Sequence, residues 1–320
     1  MKFSKYFDLQ MFASMNTHTT TTESLSPEMK TYYSDYLIDN AVPKLVHDQF
    51  GQKHPIPKNG GKTIEFRKYS PLPKLLTPLT EGVTPDGQSL TVTTIEATVD
   101  QYGGYVTISD VLQLTAIDNN MVQATKLLGN QAGASLDTIT REVLNGGTNV
   151  VYAGGVTSRE ALTAESKLTV DDIKKAVRAL KNQNAEKIGD SYVAIIHPDV
   201  TYDLTNDPAW QAVKDYDPKD WYEGEIGKIA GVRFVETTEA KIFEGGVYST
   251  LILGDNAYGV TEIEGGGLQH IVKQMGSAGT SDPLDQRATC GWKAIKVAER
   301  LVEQFMVRIE SKCTFSGEAN

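Results

Sequence analysis

The sequence predicts an α+β fold, and three features carry that reading. Residues 62–69, KTIEFRKY, and 90–99, LTVTTIEATV, alternate apolar and polar side chains with the two-residue period of half-buried strands. Residues 119–145 repeat apolar side chains at helical spacing, enough for a helix about 40 Å long at 1.5 Å per residue. Across 169–263 helix and strand patterns alternate, the mark of an α/β layer, and beyond 268 the pattern returns to strands.

The bulk properties bound the function. The 320 residues suffice for two compact units or one elongated one, and 40% hydrophobic with 22% charged residues is the composition of a folded chain. The formal charge is −10, from 31 basic and 41 acidic residues, and no Arg/Lys run occurs. Tight sequence-reading of DNA is therefore disfavoured, because phosphate neutralisation supplies most of that affinity. Two cysteines, Cys290 and Cys313, could bridge, but they exclude a disulfide framework and fit a reducing compartment. No apolar run approaches the roughly 18–20 residues of a membrane span. The opening MKFSKYFDLQMFASMN is interrupted by Asp8 and Gln10 and makes a poor signal peptide. With Phe3, Phe7 and Met11 near one face, it reads as a short amphipathic segment.

Taken in order, residues 1–26 form a flexible arm, polar and Thr/Ser-rich from 16 to 26. Residues 27–61 follow, with a helical pattern through Tyr33, Tyr36, Leu37 and Ile38 before Pro43. Residues 62–108 are an extended β-ribbon. Its second strand slips phase at Thr93–Thr94, which predicts a bulge. The ribbon's connector, 70–89, is long, proline-rich and carries Leu72, Leu75, Leu76 and Leu79. A solvated loop has no use for four leucines, each worth about 1.5–3 kcal/mol when fully buried. The preferred reading is an arm that reaches onto a neighbouring subunit; the other is a loop folded back on its own body.

Residues 109–145 read as the longest helical stretch, with Ile117, Met121, Ala124 and Leu128 in one stripe and Leu136, Ile139 and Val143 continuing it. Gly129 and Gly133 inside it predict a bend or the close approach of another backbone, and Gly146–Gly147 ends it. After a loop over 148–165, Thr169 and Asp172 make an approximate capping box ahead of Ile173, Ala176, Val177 and Leu180. Strands are predicted at 192–196, 231–237 and 247–254, then at 268–275, 290–297 and 304–310.

The candidate chemistry is thin. GGKT at 60–63 ends like a phosphate loop, but Ile56 stands where the first glycine is needed and a strand pattern follows. EGGGL at 264–268 lacks dinucleotide-binding spacing. His18, His47, His54, His197 and His270 fall in no ligand spacing, and no cofactor or metal is expected. His197 and Asp199 in IIHPDV could be half of a hydrolytic site, but no nucleophile accompanies them. A structural reading explains more: Pro198 suits the first position of a helix, and Asp199 meets the positive end of its dipole.

Four stretches carry a resemblance: NNMVQATKLLGNQAGASLDTITREVLNGGT (119–148), YVAIIHPDVTYDLTNDPAWQAV (192–213), GEIGKIAGVRFVET (224–237) and DPLDQRATCGWK (282–293). They resemble major capsid proteins of tailed bacteriophages with the Hong Kong 97-type fold, in the branch related to the coliphage N-four capsid protein. The resemblance extends over about residues 25–312. It implies an N-terminal arm (1–26), an N-terminal segment (27–61) and an extended β-ribbon loop (62–108) lying on an adjacent subunit. It also implies a peripheral domain with a long spine helix (109–168 and 264–312), an α/β axial domain (169–263) and a C-terminal tail (313–320). The implied function is a non-enzymatic shell protein that self-assembles as hexamers and pentamers into an icosahedral head around double-stranded DNA. Its implied location is the virion, with assembly in the host cytoplasm. Its implied partners are a scaffolding protein, a portal and a decoration protein, with packaged DNA nearby and no membrane. Only about 25 residues precede the fold, which implies that scaffolding comes from a separate protein. The same fold serves in encapsulins, so a cellular cargo shell is the alternative within the class, and a hydrolase using His197 and Asp199 is the alternative outside it.

Overall fold

A computed structural model describes residues 17–18, 46–69, 72–84, 86–116, 120–214, 227–264, 266–277 and 279–320. The helical pattern expected around Tyr33–Ile38, the opening amphipathic segment, Ile117 and the Met121 side chain lie outside these residues. In chain order the elements begin with β1 (Thr17–His18), β2 (Gln52–Lys53), β3 (Thr63–Tyr69), β4 (Val92–Thr98) and β5 (Asp100–Ser109). Next come helices α1 (Asp110–Thr115) and α2 (Asn120–Asn145), strand β6 (Val150–Tyr152), helix α3 (Val170–Asn182) and strand β7 (Tyr192–Ile196). Helices α4 (Pro198–Thr205) and α5 (Pro208–Lys214) precede β8 (Lys228–Ile229), β9 (Val232–Glu236), β10 (Ile242–Phe243) and β11 (Val247–Leu253). The chain closes with β12 (Tyr258–Glu262), β13 (Gln269–Lys273), β14 (Arg287–Arg300) and β15 (Met306–Ser311). Two compact units divide it: residues 1–42, 101–133 and 267–294 in the first, and 43–100, 134–266 and 295–320 in the second.

In the first unit β14 lies between β5 and β13. The Gly103–Gly104 pair explains why the sequence conceals β5. A Cβ on Gly103 would sit 2.7 Å from the Trp292 carbonyl oxygen, and one on Gly291 would sit 2.8 Å from the Tyr105 Cβ. Only glycine permits this approach, and its cost is a strand with little hydrophobic pattern. The expected 62–108 ribbon is therefore shorter, because residues 100–109 belong to a different sheet. The Ser109 hydroxyl caps α1 by accepting the Leu112 N–H at 3.3 Å. The expected single helix over 109–145 is two helices. Residue 116 has extended backbone, and 109 is still strand. A Cβ on Gly129 would meet nothing within 4 Å among the described residues, so no described backbone approaches there, contrary to one expectation. Two residues of the predicted arm, Thr17 and His18, pair parallel with Thr107 and Ile108 of β5.

The second unit holds the α/β layer, a sheet in the order β6-β15-β11-β7-β9-β8 with β10 beside β11. Strand β7 is wholly buried and shows the period-two logic. Tyr192, Ala194 and Ile196 pack with Ile173, Leu180, Val200 and Leu204 of α3 and α4, while Ile195 packs with Leu144, Leu251 and Met306. Helix α3 starts as predicted: Thr169 Oγ1 accepts the Asp172 N–H and donates to its carboxylate at 2.8 Å. It buries Ile173, Ala176, Val177 and Leu180.

Three expectations change here. The closing strand 306–311 does not belong with the rest of 264–312. It pairs with β11 and β6 inside the α/β sheet, because Val307 and Ile309 complete that sheet's core. The loop over 148–165 contains β6, which pairs parallel with β15. The ribbon has no bulge: β3 and β4 pair in one register from Thr63↔Thr98 to Tyr69↔Val92. The phase slip only records that Val92 and Tyr69 sit together on the face opposite Ile95 and Phe66, both exposed.

Buried charge fixes α2 to its surroundings in this unit. Asp137 accepts the N–H groups of Val46 (3.0 Å) and His47 (2.8 Å) on one oxygen and the His47 ring N–H (2.7 Å) on the other. Lys296 donates to Asp48 (2.5 Å) and to the Leu136 carbonyl (2.8 Å). At the helix end, Arg308 donates to the carbonyls of Asn145 and Gly147 and to Glu310, and Arg159 forms a second pair with Glu310 at 2.7 Å. Glu310 is fully buried. Two guanidinium groups compensate its desolvation, and the orphan carbonyls of α2 receive donors.

Candidate assembly surface

The ribbon β3–β4 carries the sequence's candidate residues. Its inner face presents Ile64, Phe66, Ile95 and Ala97, and its outer face pairs Arg67 with Glu65 at 3.5 Å. Near its base, Phe66 meets the His54 ring edge-on, with centroids 5.6 Å apart. A recess of about 420 Å³ opens there, lined by His54, Ile64, Phe66, Ile95 and Leu301. The far end is different. Residues 72–84 have no regular structure beyond a turn at 81–82, and Leu72, Leu75, Leu76 and Leu79 are 51%, 80%, 85% and 75% exposed. The neighbouring Val83 and Leu90 are exposed as well. None of the four leucines reaches the core of its own chain. Contiguous exposed apolar side chains of this kind mark contact surfaces.

His197 and Asp199 are close, as expected, and their geometry is that of a helix start. His197 is the N-cap of α4: its Nδ1 accepts the Asp199 N–H at 3.2 Å, with Pro198 at the first helical position. The Asp199 carboxylate accepts the Tyr248 hydroxyl at 2.8 Å. Burial pushes the His197 pKa down, against the opposing pull of Asp199 and Glu236. The fold brings one thiol to this corner, which the sequence did not reveal. Cys313 has its pKa pushed up to about 12, by burial first and then by Asp203 and Asp199. Activation of a nucleophile requires the opposite shift. Asp203 accepts the Thr314 N–H at 2.8 Å and its hydroxyl at 2.5 Å, which fastens the segment after β15 to α4.

The other candidates are dispersed. The GGKT stretch leads into β3, a strand, and so lacks the helix N-terminus that phosphate needs. His54 contacts Gln52, His47 serves Asp137, and His270 lies 3.1 Å from Cys290, whose thiol is buried. Cys290 and Cys313 are both free. Among the described residues no group of three or more His, Cys, Asp or Glu side chains could hold a metal, and no helix is long and apolar enough to cross a membrane.

Comparison with known proteins gives this arrangement its context. The profile of the family described as phage capsid protein matches residues 92–284. No curated protein sequence matches the chain. Among solved structures, the capsid of cyanophage P-SCSP1u superposes with a TM-score of 0.68 at 13% identity, covering 89% of this chain and 93% of that one. The capsid of Ralstonia phage GP4 gives 0.68 at 15% identity, over 90% and 96%. The capsid of cyanophage Pam1 gives 0.65 at 15%, over 90% and 94%. At such identities the likeness is one of fold, the Hong Kong 97-type fold of phage capsids, and it extends along nearly the whole of each chain. With the family profile spanning 193 of 320 residues (92 through 284), the chain belongs to the phage capsid protein family and is a major capsid protein, a structural component of the head.

Proposed function

We propose that this capsid protein assembles as hexamers and pentamers into an icosahedral shell around double-stranded DNA, and that the ribbon clasps a neighbouring copy through Leu72, Leu75, Leu76 and Leu79. The observation that carries the ribbon's role is the exposure of all four leucines on a two-stranded projection. Isolated two-stranded ribbons are marginal in water, so a long one gains from a partner surface. Within this reading residues 109–168 and 264–312, which include the long helix, serve as the peripheral domain, apart from β6 and β15, which belong to the α/β sheet. The sheet carrying α3 and α4 serves as the axial domain around five-fold and six-fold positions. Scaffolding, portal and decoration proteins complete the partner set, and assembly takes place in the host cytoplasm.

The test is assembly itself. The chain is expressed alone and with a candidate scaffolding protein from the same genome, then examined by sedimentation velocity and negative-stain microscopy. Rings or closed shells are the expected outcome. A protein that stays monomeric under every such condition refutes the proposal.

A further inference from the structure

The exposed face of α3 is mainly basic on an acidic protein, with Asp171 of its first turn the one acidic member. The helix packs Ile173, Ala176, Val177 and Leu180 against the sheet and turns the rest outward. Lys174, Arg178 and Lys181 are exposed and stand at offsets of four and three residues, so they form one row about 10 Å long. Lys175, beside the row, is already paired with Asp171 at 2.8 Å and Asp172 at 3.1 Å. The three members of the row make no ion pair among the described residues. Exposed Asn182 and Gln183 extend the row with uncharged donors. The chain as a whole carries −10, so this row stands against the prevailing sign.

We propose that this row contacts the phosphate backbone of packaged duplex DNA, and so that the side of the α/β sheet bearing α3 and α4 faces the interior of the shell. The chemistry favours nucleic acid over an acidic protein. A protein partner binds through apolar or aromatic anchors set in pockets, and the outward face of α3 offers none. Duplex DNA offers one charge per about 1.7 Å of axis, so a row of this length lies along several phosphates. Lys, Arg, Asn and Gln are among the side chains that donate to phosphate oxygens, and such contacts position a protein on the duplex without reading its sequence. Three cations per copy give a weak, salt-reversible contact, repeated over many copies, which suits a genome that must be released.

The choice of DNA as the polyanion rests on the shell reading, and the experiment keeps the two apart. Binding of a labelled 30-base-pair duplex to the unassembled full-length chain is followed by anisotropy as potassium chloride is raised. Each phosphate neutralised adds about −0.9 to the slope of log K against log salt. The variant Lys174→Gln/Arg178→Gln/Lys181→Gln is expected to lose about 2.7 from that slope, with an unchanged thermal melt. The control Lys228→Gln/Lys273→Gln/Lys293→Gln, of equal charge change elsewhere, is expected to keep it. An unchanged slope in the α3 variant, or an equal loss in the control, overturns the proposal. So does a row-dependent affinity for polyglutamate without affinity for duplex, which reassigns the face to an acidic protein. Shell formation by the same variant is scored separately with scaffold. Shells together with an unchanged slope sink the row alone. Failure of the wild-type chain to form shells sinks the shell reading.

Discussion

Replacing Leu75 and Leu76 together with serine separates the two possible uses of the ribbon tip. In the isolated chain these side chains are 80% and 85% exposed, so little burial is lost on substitution. Surface changes of this kind shift stability by about 0.5 kcal/mol or less. If the leucines bury on a neighbour, each contributes about 1.5–3 kcal/mol there, less the cost of ordering the loop. The pair then accounts for about 3–5 kcal/mol per contact, or two to four decades in its equilibrium constant at 1.4 kcal/mol per decade. The expected result is a melting temperature within about 2 °C of wild type, by circular dichroism on unassembled chain. Assembly followed by light scattering and sedimentation should fail at concentrations where wild type forms shells. Unimpaired assembly refutes the reasoning. So does a fall in melting temperature that matches the assembly defect, since that result places the leucines in the chain's own core.

Four further outcomes test the interior. His197→Ala removes the α4 cap and should cost about 1 kcal/mol in urea denaturation, whereas His197→Asn keeps a capping acceptor and should stay near wild type. The His197 pKa is held below its ordinary value of about 6.5, so the neutral cap's contribution is complete above that pH and declines as pH falls towards the folded-state value; His197→Asn should flatten this limb in urea melts from about pH 7.5 to about pH 5, and an identical slope in both proteins counts against the assignment. Asp137→Ala strands two buried N–H groups and the His47 ring, and Glu310→Gln leaves the buried Arg308 and its neighbour Arg159 under-compensated. Each should cost about 3–5 kcal/mol by chemical denaturation, and a loss below about 1 kcal/mol in either case would show that the site relaxes or admits water.

The legible parts of the sequence were those in which one physical rule acts alone. The capping pair Thr169–Asp172, the buried run 192–196 and the His197–Pro198 helix start each follow from local chemistry, and each stands where expected. The ribbon's exposed leucines were visible because a loop has no internal reason to contain them. What stayed hidden depends on chain segments distant in sequence. Strand β5 needs glycines because β14 passes against it, and that demand erases its hydrophobic pattern. Strand β15 alternates like any half-buried strand, and nothing local says which sheet it joins. Asp137, Asp48 and Glu310 look like surface charges until the fold supplies His47, Lys296 and Arg308. The Cys313 thiol reaches the His197 corner only through the return of the chain after β15.

The anchoring of α2 has a mechanical consequence. From Leu136 to Asn145 the helix is tied by ion pairs and hydrogen bonds to residues 46–48, to Lys296 and to Arg308, so this half should move with the sheet under load. Earlier in the same helix, Gly129 carries no side chain and has open space around it among the described residues. Glycine is where a helix yields at least cost. Stress on a shell wall should therefore be absorbed as bending ahead of Ala134, sparing the sheet, and amide hydrogen exchange should be faster over 127–133 than over 137–145.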